Sequence, residues 1–190
     1  MMNLRVTLKA LILSVVAGYA TFSAAQELEG DADALLNRLS TLTAEHDADE
    51  AARLAREIQE RWTHSGSATG DLLLQRGIEA IAAEDYPKAI THLTALTDHA
   101  PDFAEAWNQR ATAFFYLERY GAAVSDIEQV LVLEPRHFGA LAGLGIIMER
   151  LGDDRAALRA LEAAQKIHPA EANVNAAVDR LRAQTGGRTL

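Results

Sequence analysis

The chain has 190 residues, of which 49% are hydrophobic and 6% aromatic, with a formal net charge of −9 and no cysteine. The lack of cysteine excludes disulfide bonds, thiol catalysis and zinc sites built from thiolates. The negative charge repels phosphate backbones and anionic lipid surfaces, so we expect no nucleic acid partner and no peripheral membrane binding.

The first 25 residues have the three regions of a secretory signal peptide. Arg5 and Lys9 give a positive start, Ala10–Phe22 is a largely apolar run, and Ser23–Ala25 places small residues before Gln26. The apolar run is shorter than the roughly 17–25 residues that a membrane-spanning helix needs. We expect cleavage after residue 25, a periplasmic location and no stable membrane insertion of the cleaved form. A retained anchor is the alternative.

Residues 26–69 are expected to form a helical hairpin followed by a linker. A short acidic tail precedes Asp31, which is placed as the N-cap of the first helix. The interval 63–69, with Gly66, breaks the apolar pattern and predicts a linker or a loop with a role. The two helical stripes consist of Leu35, Leu36, Leu39 and Leu42, then Ala51, Leu54, Ala55, Ile58 and Trp62.

A fixed period of 34 residues organises the chain from residue 70 to residue 169. Pro101, Pro135 and Pro169 are spaced by this interval, and so are Ala89, Ala123 and Ala157. Each of the three units, 70–103, 104–137 and 138–169, contains two apolar stripes at helical spacing. Neither stripe is buried by one helix alone, so the two helices pack as a hairpin and the hairpins stack. The fold class is therefore all-α, a helix-turn-helix solenoid.

Small residues are expected where these helices cross, because a large side chain there would force the helix axes apart. Gly77, Ala111 and Gly145 recur in the first helix of successive units. The turns within the units are expected at 84–85, 118–119 and 152–154.

This register resembles the tetratricopeptide repeat (TPR). In the middle unit the pattern of large, small and aromatic residues falls on Trp107, Ala111, Phe114, Ala123, Ile127, Val130 and Pro135. One position that is usually leucine in the family is Arg76, Arg110 and Leu144 here, which departs from the pattern. The resemblance implies that residues 26–69 are a degenerate repeat that caps the N-terminal end of the solenoid.

After Pro169, residues 170–190 are expected to form a capping helix and a disordered tail. Glu171–Gln184 carries one apolar face of Val174, Ala177, Val178 and Leu181, which closes the last repeat. The tail Thr185–Leu190 contains Gly186-Gly187 and is expected to lack fixed structure.

We expect no enzyme activity, no cofactor and no metal site. The six histidines are scattered, without the short spacing that forms a metal-binding helix face. His99, His137 and His168 are near unit ends, where the ring can meet a helix C-terminus. The glycines of Gly139–Gly145 lie inside an expected helix, so they indicate close approach of a backbone and not a phosphate loop.

The resemblance implies a concave groove lined by the first helices of the units. Such a groove would suit a peptide with apolar anchors and a basic end. The cationic residues with which some family members clamp a C-terminal carboxylate are absent, so a chaperone-tail clamp is disfavoured. The positions implied to face the groove are Asp71, Leu74, Ile78, Ile81, Glu105, Asn108, Thr112, Phe115, Gly139, Ala142, Ile146 and Glu149.

The leading interpretation is a periplasmic adaptor that binds a peptide segment of another cell-envelope protein through the groove. The alternative is a structural component that self-associates or assembles through the convex face or the 63–69 loop. A hydrolase on a helical scaffold is a third reading, which the fold alone does not exclude.

Overall fold

The computed structural model describes residues 32–186, which form nine α-helices and no strand. The predicted leader (1–25), the acidic segment 26–31 and the end of the tail (187–190) lie outside the described residues. The expected all-α solenoid is confirmed. The helices are α1 (residues 32–39), α2 (Ala48–Trp62), α3 (Ala68–Ala82), α4 (Tyr86–His99), α5 (Ala104–Tyr116), α6 (Tyr120–Leu133), α7 (Phe138–Arg150), α8 (Asp154–Ile167) and α9 (Ala172–Gly186).

The pairs α3/α4, α5/α6 and α7/α8 are three hairpins with turns at the expected places. Each turn contains one residue in the left-handed region, at positions that follow the 34-residue period: Glu84 (φ 57°), Glu118 (φ 56°) and Gly152 (φ 78°). In the first turn Asp85 N–H donates to the Ala80 carbonyl at 2.8 Å. The Asp85 N–H thus provides a hydrogen bond to a carbonyl in the last turn of α3 that has no partner within the helix. The left-handed residue that recurs every 34 positions therefore fixes where the first helix of each repeat ends.

The small residues at the helix crossings are required by the packing. A Cβ on Gly77 would stand 2.6 Å from the Leu93 side chain, and one on Gly145 would stand 2.5 Å from Leu161. Both glycines are on the first helix of a repeat and both leucines on the second. Close packing at these two points lets the hairpins bury Leu93 and Leu161 almost completely.

Arg110, the departure from the usual leucine, joins three helices. Its guanidinium makes two hydrogen bonds of 2.8 Å to the Asp126 carboxylate on α6. It also donates to Thr97 Oγ1 on α4 at 2.9 Å and lies 4.7 Å from the centre of the Trp107 ring. Because both charged side chains are largely buried, the pair and its hydrogen bonds hold the first and second repeats in register.

Helix α9 closes the C-terminal end, as expected. Val174, Val178 and Leu181 are buried against α8. The helix runs to Gly186, so the prediction of a disordered tail from Thr185 onward is wrong for Thr185 and Gly186. Thr185 is held in the helix by a hydrogen bond of 2.7 Å from its hydroxyl to the Leu181 carbonyl.

The hairpin α1–α2 differs from the expected cap on the first repeat. Its apolar stripe forms one cluster with Phe138, at the start of α7, and is joined by Ile167 and Ala170. Trp62 stacks on His137 with 4.1 Å between ring centres. Arg136 binds Asp33 and donates to Asn37 Oδ1 at 2.8 Å.

This hairpin therefore packs on the loops that enter α7 and α9, across one edge of the solenoid. The cap prediction is wrong because the chain reverses between α2 and α3. Gly66 adopts a positive φ of 73°, and Ser65 donates from its backbone and its hydroxyl to the Asp71 carboxylate, each at 2.7 Å. Across residues 32–186 no helix is long and apolar enough to cross a membrane.

Candidate functional site

The inner surface of the solenoid is formed by the first helices of the repeats, because α3 packs on α5 and α5 on α7. Two cavities border this surface where α5, α7 and the N-terminal hairpin come together. We call them the small pocket and the large cavity. Ile146 on α7 lines both and is 46% exposed.

The small pocket has a volume of about 210 Å³ and lies between α5 and α7. Gly143 lies in its wall, and a Cβ built there would find only Ile127 Cδ1, at 3.9 Å. The missing side chain thus leaves room that a ligand side chain can fill. The lining residues are Asn108, Ala111, Thr112, Phe115, Tyr116, Ile127, Gly139, Ala140, Gly143, Ile146 and Ile147.

The large cavity has a volume of about 480 Å³ and lies between α2 and the third repeat. One wall is formed by Ala52, Ala55, Arg56 and Gln59 of α2, so the folded-back hairpin is part of the site. The opposite wall includes Gly139, Ala142, Ile146 and Glu149 of α7, together with Leu161, Ala164, His168, Val174 and Ala177.

Polar groups at the site are few and mostly engaged. The Asn108 side-chain amide donates from Nδ2 to both carboxylate oxygens of Glu105 at 3.2 Å. The Thr112 hydroxyl donates to the backbone carbonyl oxygen of Asn108 at 3.0 Å. Within residues 32–186 no hydrogen bond is made to Asn108 Oδ1, so this oxygen is available as an acceptor. Arg180 binds Glu149 at 2.7 and 2.9 Å, and this hydrogen bonding lowers the pKa of Glu149.

Two of the residues expected to face the groove are internal. Leu74 is only 2% exposed and packs in the core of the first repeat with Leu93 and Leu96, so its assignment to the groove is wrong. Ala106 and Ala113 of the next repeat belong to the same buried cluster. Ile78 and Ile81, one and two turns further along, are exposed and half-buried respectively, and neither lines the two cavities.

Glu105 is also internal, so its assignment to the groove is wrong. Its carboxylate is buried and accepts hydrogen bonds from Asn108, from Gln109 Nε2 at 2.5 Å and from His137 Nε2 at 3.1 Å. These three donors replace the water that a buried carboxylate would lose. Asp71 is held by Ser65, whose hydrogen bonds lower the pKa of Asp71.

Of the residues expected at the groove, the structure brings together Asn108, Thr112, Phe115 and Ile146 around the small pocket. Ala142, Ile146 and Glu149 line the large cavity. Sequence reasoning missed the contribution of α2, because the 34-residue period does not extend to it. The one available signal was the bulk of Trp62 at the end of an apolar stripe.

His137 was expected to meet a helix C-terminus, and this is wrong. Its Nδ1 accepts the Ala140 N–H at 3.1 Å and so caps the N-terminus of α7. The ring proton is therefore on Nε2, which donates to Glu105. Within residues 32–186 no group of three or more histidine or acidic side chains is arranged to hold a metal ion.

Comparisons with known proteins agree with this architecture. The tetratricopeptide repeat model matches residues 74–115 and 108–172. A TPR repeat-containing protein of Rhizobium etli is 41% identical over 148 residues, which cover 78% of this chain and 72% of that protein. The small glutamine-rich tetratricopeptide repeat-containing protein 2 of Saccharomyces cerevisiae is 29% identical over 66% of this chain. This chain spans only 36% of the length of the yeast protein.

Solved structures show the same fold at lower identity. MamA is 20% identical, with a TM-score of 0.59 over 75% of this chain and 81% of MamA. The first TPR of Spaghetti (RPAP3) bound to an HSP90 peptide, SRMEEVD, is 20% identical, with a TM-score of 0.61 over 63% of this chain and 95% of that domain.

Proposed function

Because the chain belongs to the tetratricopeptide repeat family, we propose that it is an adaptor that binds a peptide segment of another protein on its inner surface. The observation that carries this proposal is the pair of apolar cavities on the two sides of the half-exposed Ile146. A related fold, the first TPR of Spaghetti, holds a peptide, which supports the same use of the surface here.

The two cavities are suited to side chains of one extended or helical peptide. Burial of apolar area contributes roughly 25 cal/mol per Å², so an aliphatic side chain anchored in each cavity favours binding. Asn108 Oδ1 adds an acceptor for a main-chain N–H of the ligand. The walls are built from helices whose packing is fixed by Gly145 and Leu161, so little ordering is needed on binding.

We place this adaptor in the periplasm, with another envelope protein as its partner. The support is the three-part leader of residues 1–25, with its positive start, short apolar run and small residues before Gln26. Detection of a mature N-terminus at residue 26 in a periplasmic extract would support this location. A full-length chain recovered only from the cytoplasm would contradict it.

The binding proposal is tested by comparing two charged substitutions. Phe115→Glu places a carboxylate in the small pocket, whereas Val132→Glu places one on α6 at a position that is 74% exposed. Phe115→Glu is expected to abolish recovery of the partner protein with the exported adaptor, with unchanged helical circular dichroism. Full recovery by a folded Phe115→Glu variant would overturn the assignment of the groove.

The second candidate function is structural, through self-association of the outer face. Val132 is the observation that favours it, because at 74% it is the most exposed large hydrophobic side chain in the described part of the chain. Light scattering of the purified protein distinguishes the two. A monomer at high concentration argues against self-assembly, whereas a dimer that Val132→Glu dissociates supports it.

A further inference from the structure

An aromatic cluster lies beside the small pocket, at the edge formed by the turns within the repeats. The Tyr86 and Tyr116 rings stack with 5.0 Å between centres and planes 12° apart. Phe115 meets Tyr116 edge-on at 5.6 Å and Tyr120 at 5.9 Å. We call Tyr86, Phe115, Tyr116 and Tyr120 the aromatic shelf.

The shelf is open to solvent at Tyr116, its other three rings are half-buried, and it is continuous with the small pocket. Tyr116 is 54% exposed although it is one of the largest side chains in the repeat. Phe115 and Tyr116 also line the small pocket. A ligand that places one side chain in the pocket therefore has its next residues over these rings.

Two acidic residues lie beside the shelf. Glu84 and Glu118 are the exposed turn residues next to Tyr86 and Tyr116, and neither has a cation within ion-pair distance in the described part of the chain. Partial burial raises the pKa of the Tyr86 phenol, and the nearby negative charge of Glu84 raises it further. The nearby cation Arg119 lies over Phe114, at 4.9 Å from the ring centre, and so is engaged elsewhere.

We propose that the aromatic shelf binds a lysine or arginine side chain of the partner peptide while an apolar residue within three positions of it enters the small pocket. The face of an aromatic ring attracts a cation, and Glu84 and Glu118 add attraction of the same sign. An acidic ligand would be repelled by both carboxylates. The inference rests on the proposed function and specifies the chemistry of the partner.

The geometry also sets the spacing of the two ligand residues. On an extended peptide, residues two apart project to the same side, at roughly 7 Å for that pair. Phe115 borders the pocket and the shelf, so the anchor and the cation fit on consecutive same-side positions. A helical ligand would present them three positions apart.

The first test selects ligands for the purified protein, exported with its own leader, from a phage library that displays random dodecapeptides. We expect enrichment of lysine or arginine within three residues of leucine, isoleucine, valine or methionine. Enriched peptides with apolar anchors but no cation, or with acidic residues beside the anchor, would overturn this inference and leave the adaptor proposal standing. No enrichment over the unselected library would overturn both.

The second test measures the pairing directly with one selected, fluorescein-labelled peptide and its version in which the cation is alanine. The wild-type protein is expected to bind the alanine version of the peptide about threefold to fivefold more weakly than the original peptide. For the Tyr116→Ala variant, and for the variant that combines Glu84→Gln with Glu118→Gln, the affinities for the two peptides are expected to differ by less than twofold.

Glu128→Gln, at an exposed position on α6, is the matched charge control and should behave as the wild type does. An equal loss in the wild type and in the shelf variants would overturn the assignment of the cation to the shelf.

Discussion

His137 Nε2 lies 3.1 Å from Glu105 Oε2 in a buried pair that joins α5 to the start of α7. The other ring nitrogen accepts the Ala140 N–H, so both nitrogens are engaged. Trp62 of the N-terminal hairpin covers the same ring at 4.1 Å. Three elements distant in sequence thus meet at one histidine, and the wall that α2 gives to the large cavity depends on this contact.

Trp62→Ala is expected to release the N-terminal hairpin while the repeats stay folded. The half-buried indole contacts His137 and Phe138, and its loss should cost about 2 kcal/mol of docking free energy. Hydrogen exchange should then show lost protection in α1 and α2, with α3–α8 unchanged. Arg53→Ala, on the exposed face of α2, is the control. Uniform loss of protection across all repeats would contradict this local docking.

Arg110→Leu is expected to destabilise the protein by about 3 kcal/mol, because it leaves the buried Asp126 carboxylate without its cation. The double variant with Asp126→Leu removes both charges and should recover most of the loss. Urea unfolding of the two variants and the wild type measures the difference. A double variant as unstable as Arg110→Leu would show that packing, and not the unpaired charge, is responsible.

Gly145→Ala and Gly121→Ala are expected to have opposite effects on stability. A Cβ at Gly145 would lie 2.5 Å from Leu161, so overpacking should cost about 1–3 kcal/mol. A Cβ at Gly121 meets nothing within 4 Å on α6, so alanine should stabilise by about 0.5 kcal/mol. Thermal midpoints measure both. Equal tolerance at the two sites would contradict the tight crossing of α7 and α8.

Stability is expected to fall with pH below about 6.5 because of His168. Burial lowers the pKa of His168, with Glu171 acting in the opposite direction, so the unfolded chain binds the proton more readily. The stability is therefore complete above the unfolded value of 6.5 and is lost as pH falls towards the lower folded value.

Urea midpoints at pH 7.5 and 5.5 measure this effect, above the range in which the carboxylates titrate. His168→Gln should reduce the difference between the two midpoints. His46→Gln, whose side chain is exposed, is the control and should leave the difference unchanged. A difference that persists in full in His168→Gln would assign the pH dependence to other groups.

Gly143→Leu is expected to block ligand binding without loss of stability. The new side chain would occupy the small pocket, where the nearest atom to a Cβ is Ile127 Cδ1 at 3.9 Å. Leucine also favours the helix over glycine by roughly 0.5–1 kcal/mol. Affinity for a peptide selected by the wild type should fall at least tenfold, measured by fluorescence anisotropy. Unchanged affinity in this folded variant would exclude the small pocket from the site.

The repeats were predictable from the sequence because their packing is local and periodic. The turns near residues 84, 118 and 152, the close crossings at Gly77 and Gly145, and the buried face of α9 all follow from residue types at fixed spacing, whereas the positive φ of Glu84 and Glu118 does not. Each depends on contacts between neighbouring helices, and such contacts leave a repeating pattern in the chain.

The candidate site was only partly predictable. Asn108, Thr112, Phe115 and Ile146, which register assigns to the groove, line the small pocket, and their contact with a peptide stays a prediction. The contact of Trp62 with His137 joins residues 75 positions apart and occurs once, so no repeating sequence pattern predicts it. Register likewise does not show that Glu105 is buried with three hydrogen-bond donors, because one of them is His137, 32 residues further along the chain.

The account is tested most directly by site-specific photo-crosslinking in the exported protein. A photoreactive residue is placed at position 115 in the small pocket, at position 146 between the two cavities, or at the exposed position 132 on α6. The account predicts the same dominant adduct from 115 and 146, identified by mass spectrometry, and none from 132. An adduct from 132 alone, with folded and exported protein at all three positions, would contradict binding on the inner surface.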